Sequence, residues 1–180
     1  MPGAATIGCL NFLSQPMHTT LLNWLESSGH AYHLAEHRAV HTIAEALSCT
    51  PDLPGLMCKN IFVRDAKGKR HLLVVVPYDK CIDLLALGQL LQTSRLGLAS
   101  PERLLLHLGV TPGAVSVLAL LHDRAHAVEL VLDQAVWDAA QVQAHPLRNT
   151  ATAVMPHATL EAFLAWTGHV PRVAEVPALS

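Results

Sequence analysis

Aromatic residues are scarce in this 180-residue chain: three Trp, two Tyr and three Phe make up 4% of it. Its core must therefore be built from Leu, Val and Ala. Charge is scarce too, at 14% against a usual quarter, and the net charge is -2. That balance excludes a strongly basic protein that coats nucleic acid without discrimination, but it does not speak to a local patch. No apolar run approaches the roughly 18 to 20 residues of a membrane span, because Pro, Gly, His or Asp breaks the richest stretches. No Lys or Arg precedes Arg38, so the basic start of a secretory signal is missing. A soluble, cytoplasmic protein with no membrane partner is expected. Cys9, Cys49, Cys58 and Cys81 form no C-x-x-C pair, and reduced thiols are the expectation. Repeats and low-complexity tracts are absent.

Hydrophobic residues reach 51%. A chain this long buries about 70% of its unfolded surface, enough for one self-sufficient domain. The local patterns mix helices and strands in irregular order. Leu21, Leu22, Trp24 and Leu25 give residues 17–28 a helical rhythm stopped by Gly29, and AYHLAEH follows as a short strand. Thr42 and Glu45 have capping-box spacing for a helix over TIAEALS, and Pro51, Pro54 and Gly55 mark a loop. LMCKNIFVRD and RHLLVVVPY read as a hairpin joined by AKGK, the second strand apolar enough to be buried on both faces. Asp83 opens a helix over DLLALGQLLQ. Ser100, Pro101 and Gly109 bracket another over SPERLLLHLG. Two glycines and a proline then lead into the apolar run VLALLHD. HAVELVLDQ is a strand, DQAVWDA a short helix, QVQAHP another strand entry, HPLRNTATAVM a turn into a strand, and PHATLEAFLAWTG a closing helix. The tail adds an edge strand or stays mobile. The fold class expected is a single mixed α/β (α+β) domain around a largely buried sheet.

All four lysines lie between residues 59 and 80, where Lys59, Arg64, Lys67, Lys69, Arg70 and Lys80 face only Asp65 and Asp79, a local excess of four. This reads either as a solvated hairpin or as a surface facing phosphates. Lys59 differs from the rest because Leu56-Met57-Cys58 and Ile61-Phe62 flank it. Cys58 beside Lys59 suggests a stabilised thiolate, yet neighbours on a strand point to opposite faces, which argues against a nucleophile. His37 and His41 stand four apart, but no third ligand follows at a recognisable spacing, so scattered surface histidines are expected, with no metal site. Taken alone, His145 before Pro146 is a turn residue, Asn149 a local turn hydrogen-bonder and Gly113 a tight-turn glycine.

CKNIFVRDAKGKRHLLVVVPYDKCIDL resembles the YbaK/prolyl-tRNA editing family, whose members carry K-N-L-F-L-x-D, x-G-x-x-L-L-V-V and D-K-x-V-D-L. The likeness continues through RLGLASPERLLLHLGVTPGAVS, HAVELVLDQ, HPLRNTAT and LEAFLAWTGH. It covers residues 18–169, with 1–17 as an extension and 170–180 as a tail. The resemblance implies a YbaK-like fold and a hydrolase without a cofactor. That enzyme removes the amino acid from a mischarged tRNA with water as nucleophile. HPLRNTAT and the free-standing length look most like the deacylases acting on Ala-tRNA(Pro). Deacylases for Ser-, Cys- or Thr-tRNA, or a non-catalytic tRNA- or synthetase-associated module, are the alternatives. The implied partners are the aminoacylated acceptor end of tRNA and prolyl-tRNA synthetase.

By the same resemblance Lys59 binds the terminal phosphate and Asn60 orients that end of the site. The loop Gly113-Ala114-Val115-Ser116 offers backbone donors or a pocket wall, His145 lines the aminoacyl pocket, and Asn149 supports its turn or the substrate amine. The loop departs from the family pattern at Val117, where relatives carry proline. The excess of charge over residues 59–80 is expected to supply the cations for the acceptor end.

Overall fold

In a computed structural model, residues 17–39 and 52–179 are described. The elements in chain order are α1 (Met17–Ser27), β1 (His33–Glu36), β2 (Leu56–Asp65), β3 (His71–Pro77), α2 (Leu84–Leu90), β4 (Leu96–Leu98), α3 (Pro101–Leu108), a 3-10 helix (Val117–His122), β5 (Val128–Asp133), α4 (Gln134–Trp137), β6 (Gln141–Ala144), β7 (Ala151–Pro156), α5 (His157–Thr167) and β8 (Arg172–Ala174). The expected helix over TIAEALS, along with Cys9, His41, Cys49 and Pro51, lies outside the described residues.

One eight-stranded mixed sheet runs in the order β1-β7-β6-β2-β3-β5-β8, with β4 also paired to β2. The β2–β3 hairpin is antiparallel, and β2 pairs with β6, β3 with β5 and β5 with β8 in parallel. The run Leu72–Val76 is buried on both faces, as its apolar sequence predicts. The tail is built into the sheet: β8 flanks β5, and Val176 is buried.

Strand alternation divides the core in two. On one face Phe62, Leu73 and Val75 pack under α1, α3, the 3-10 helix and α5 through residues such as Leu21, Leu108, Leu118 and Phe163. On the other, Val63, Leu72, Val74 and Val76 meet Leu87 and Leu91 around α2 and Val176 of the tail. Local signals set the helix ends. The Asp83 carboxylate accepts the N–H groups of Leu85 and Ala86, the Ser100 hydroxyl accepts that of Arg103, and Gly109 closes α3 in the left-handed region. No helix among the described residues is long and apolar enough to cross a membrane.

Candidate functional site

Lys59 pairs across the hairpin with Val76, and Asn60 with Val75. The two therefore leave β2 on opposite faces, Lys59 on the α2 side and Asn60 on the side of the larger core. Met57 pairs in parallel with Gln143 of β6. Lys59 lies two residues beyond this pair on β2, and His145 directly follows the end of β6, so both sit at the same end of the paired strands, Lys59 on the face of Met57. Thr152 belongs to it as well, since its neighbours Ala151, Ala153 and Met155 are buried and the latter two face the larger core. The result is a polar strip across β2, β6 and β7.

His37 joins the strip. Its backbone N–H donates to the Thr150 carbonyl, and its ring lies 6.3 Å from that of His145. Its Nδ1 donates to the Arg38 carbonyl at 2.7 Å, so Nε2 is the acceptor for the Thr152 hydroxyl at 3.0 Å. The Nδ1 of His145 donates to the Ala151 carbonyl at 3.1 Å, leaving the Nε2 lone pair available. Burial lowers the pKa of His145, the Ala151 carbonyl partly opposes this, and His37 lowers it further. His145 is thus held as the neutral, accepting tautomer. Among the described residues, the Lys59 ammonium has no ion-pair or hydrogen-bond partner. Gln143 is 7% exposed, and its amide donates to three successive carbonyls, of Leu53, Pro54 and Gly55, fixing the entry into β2 three residues before Lys59.

The sequence reading overlooked Gln143, Thr152 and the coupling of His37 to His145. A signal was present in Gln141, Gln143 and His145, which alternate at period two and mark a strand with one polar face.

The remaining candidates lie elsewhere. The Oδ1 atom of Asn60 is buried without a hydrogen-bond partner. It borders a cavity of about 10 Å³ that Cys58, Val117, Val142 and Leu160 help to line, the room of about one water and far too small for an aminoacyl group. Thr111, Pro112, Gly113 and Ala114 form a turn closed by the Ala114 N–H on the Thr111 carbonyl, with Gly113 at φ 91°, the signature of a type II turn. The Ala114 N–H is thereby spent, whereas those of Gly113 and Val115 have no acceptor among the described residues. Ser116 is fully buried, and its hydroxyl caps the 3-10 helix by accepting the Leu118 N–H at 3.2 Å. Val117 is buried in the larger core, so packing anchors the loop where relatives use proline. No hydrogen bond or ring contact among the described residues joins this loop to Lys59 or His145. Asn149 sits partly exposed in the β6–β7 turn, where Leu147 adopts a left-handed φ of 62° and Arg148 pairs with Glu36. Backbone strain of this kind gathers at functional sites.

Two expectations need correction. The cations of residues 59–80 do not form one patch. Lys80 is committed to the buried Asp133 at 2.6 Å, and Arg70 to Glu129 through two bonds of 2.7 Å. Arg64, Lys67 and Lys69 stand at the hairpin tip, about 20 Å along β2 from Lys59. His37, read as a scattered surface histidine, belongs instead to the polar strip. The thiolate reading fails as expected: burial pushes the Cys58 thiol up to about 12, so it stays protonated.

The sheet and its helices define a small α+β domain, and sequence comparison gives its family. An aminoacyl-tRNA editing domain model matches residues 37–163, and the chain belongs to that family. It is 37% identical over 145 residues to the prolyl-tRNA editing protein ProX of Acetoanaerobium sticklandii, covering 81% of this chain and 88% of that protein. It is 36% identical over 138 residues to the prolyl-tRNA synthetase associated domain-containing protein 1 of Danio rerio, covering 76% and 74%. A solved structure described as a candidate trans-editing enzyme for prolyl tRNA synthetase superposes with a TM-score of 0.64 at 22% identity, over 92% of this chain and 99% of that one. A scaffold used in computational epitope grafting superposes at 0.68 and 20% identity, over 93% and 100%. These two establish the fold.

Proposed function

We propose that the protein is a trans-editing deacylase that hydrolyses the ester of mischarged tRNA(Pro), with alanine as the amino acid removed, acting beside prolyl-tRNA synthetase in the cytoplasm. The likeness to the prolyl-tRNA editing protein over 81% of the chain carries this reading. The polar strip supports it. An aminoacyl ester is already labile, so the protein need only hold it, place water and stabilise the developing oxyanion. In this reading Lys59 binds the terminal phosphate as a point charge. His145, neutral with Nε2 open, orders the water or the substrate amine, and His37 positions His145. The loop Gly113–Ser116 packs against the larger core, and its part as backbone donor to the carbonyl oxygen or as pocket wall rests on the family resemblance, with the N–H groups of Gly113 and Val115 lacking an acceptor among the described residues. Asn60, Ala114 and Ser116 act through the loop and the strand, and Asn149 supports the turn that carries His145. No side chain is assigned as general base, and the substrate's own ribose 2′-hydroxyl is the group assigned to help activate the water. Proline is excluded by size, which adds a second sieve where one methylene discriminates only about 10- to 200-fold.

A panel of mischarged tRNAs tests this. Ala-tRNA(Pro) should lose its amino acid faster than it does spontaneously, and Lys59→Ala should cut kcat/KM by roughly 10- to 100-fold, the worth of one charge-assisted hydrogen bond. Loss of Ser-tRNA with Ala-tRNA(Pro) untouched would overturn the choice of alanine. Equal activity in the Lys59 variant would overturn its role.

A further inference from the structure

We propose that the β2–β3 hairpin tip is a second nucleic-acid contact, one that grips the phosphate backbone of the duplex part of the tRNA while the acceptor end lies at Lys59. The inference rests on the reading that the substrate is a tRNA. Three features carry it.

The first is a local excess of positive charge in a protein of net charge -2. The turn and the two segments tied to it hold Arg64, Lys67, Lys69, Arg95 and Arg103 against Asp65 and Glu102, an excess of three. Lys67, Lys69 and Arg95 are exposed and unpaired among the described residues.

The second is that the turn is held rigid by bonds that leave those cations free. The Asp65 carboxylate is buried and accepts the N–H groups of Lys69 at 2.7 Å and Arg70 at 3.0 Å, so its charge is turned inward. Arg64 donates to the Asp65 and Ala66 carbonyls. Arg103 donates to the Gly68 carbonyl and to Nε2 of His71 at 2.7 Å. Ser94 accepts the Ala66 N–H and donates to Asp65, which fixes the segment bearing Arg95 against the turn. Preorganised cations lose little freedom on meeting a phosphate.

The third is distance. The tip lies about 20 Å from Lys59 along β2, beyond the reach of the nucleotide bound there but within that of a helical arm continuing from it. Spaced cations of this kind recognise a backbone and carry no sequence information.

The test uses Lys67→Gln/Lys69→Gln/Arg95→Gln and two probes, uncharged tRNA(Pro) and a short single-stranded oligonucleotide ending in CCA. Binding is measured across a salt series, and unchanged thermal unfolding confirms that the variant is folded. On tRNA the variant should bind about tenfold more weakly near 0.1 M salt, with a log–log salt slope shallower by about 2 to 3. On the oligonucleotide it should match the parent. Parental binding to tRNA, or equal losses on both probes, would overturn the proposal. Because neither probe carries an amino acid, failure of the deacylase reading shows separately, as absence of hydrolysis of Ala-tRNA(Pro) by the parent protein.

Discussion

His145 and His37 make one unit because each ring has a single tautomer imposed by a backbone carbonyl. Burial first, and His37 second, hold the His145 pKa below the ordinary value of 6.5. Deacylation should therefore stay level as pH falls to about 6.5 and decline only below it, once Nε2 takes a proton. His37→Ala removes a group that disfavours the charged form. It should move this acid limb to higher pH, as well as lower kcat, in a pH–rate profile of Ala-tRNA(Pro) hydrolysis. A lower kcat with an unmoved limb would mean that His37 only fills space. Cys58 offers a contrast at the same scale. With its thiol protonated to about 12, it should resist iodoacetamide at pH 8 in the native protein, while the exposed Cys81 reacts. Peptide mass spectrometry after a timed pulse reads both.

Among the elements, α3 shows how local chemistry and tertiary contact share a boundary. Ser100 starts it and Gly109 ends it at φ 63°, both readable from SPERLLLHLG. The sequence does not show that a Cβ at Gly109 would meet the His122 ring at 2.9 Å, where His122 donates to the Leu108 carbonyl at 2.6 Å. Gly109→Ala should thus exceed the roughly 1 to 2 kcal/mol of left-handed strain alone, and urea unfolding should show it. A cost below about 1 kcal/mol would mean that the His122 ring gives way freely. The apolar run VLALLHD became a 3-10 helix because the Ser116 hydroxyl caps it and all five residues from Val117 to Leu121 are buried. Periodicity has little to say about a helix that is apolar all round. β4 escaped the sequence reading because three residues with a central glycine carry almost no strand pattern; its pairing with Val63, Arg64 and Asp65 makes it a strand.

At the scale of the whole molecule, three imidazoles among the described residues have pKa values lowered by burial: His71, His122 and His145. In the unfolded chain they take up protons near pH 6.5, whereas the native state resists. Stability is therefore full above about 6.5 and is lost as pH falls toward the native values. His71 adds a geometric reason, since its Nε2 accepts from Arg103 and a proton there would set cation against cation. At the alkaline end Cys58 acts in the opposite sense: its unfolded thiol ionises near 9.0 while the native one does not, so stability declines above that pH. Urea midpoints from pH 5 to 10 should trace a plateau between these limits. A midpoint that rises on going from pH 7 to pH 5.5 would contradict the assignment.

The order of helices and strands was legible wherever a cap, a glycine stop or an alternation of neighbours declares itself within a few residues. Lys59 and His145 entered as candidates through the family resemblance, not through any local signal of this kind. Which of these residues share a face was decided by pairing between distant segments. The parallel pairing of Met57 with Gln143 joins β2 to β6 across 85 intervening positions and so brings Lys59 and His145 to the same end of the two strands, while the Thr150 carbonyl just ahead of β7 fixes His37 beside them. Charge followed the same rule. The scarce cations looked like one cluster in sequence, but Asp133 and Glu129, far along the chain, neutralise Lys80 and Arg70. Local propensity acts between neighbours, whereas burial, register and charge pairing exist only once remote segments are packed together.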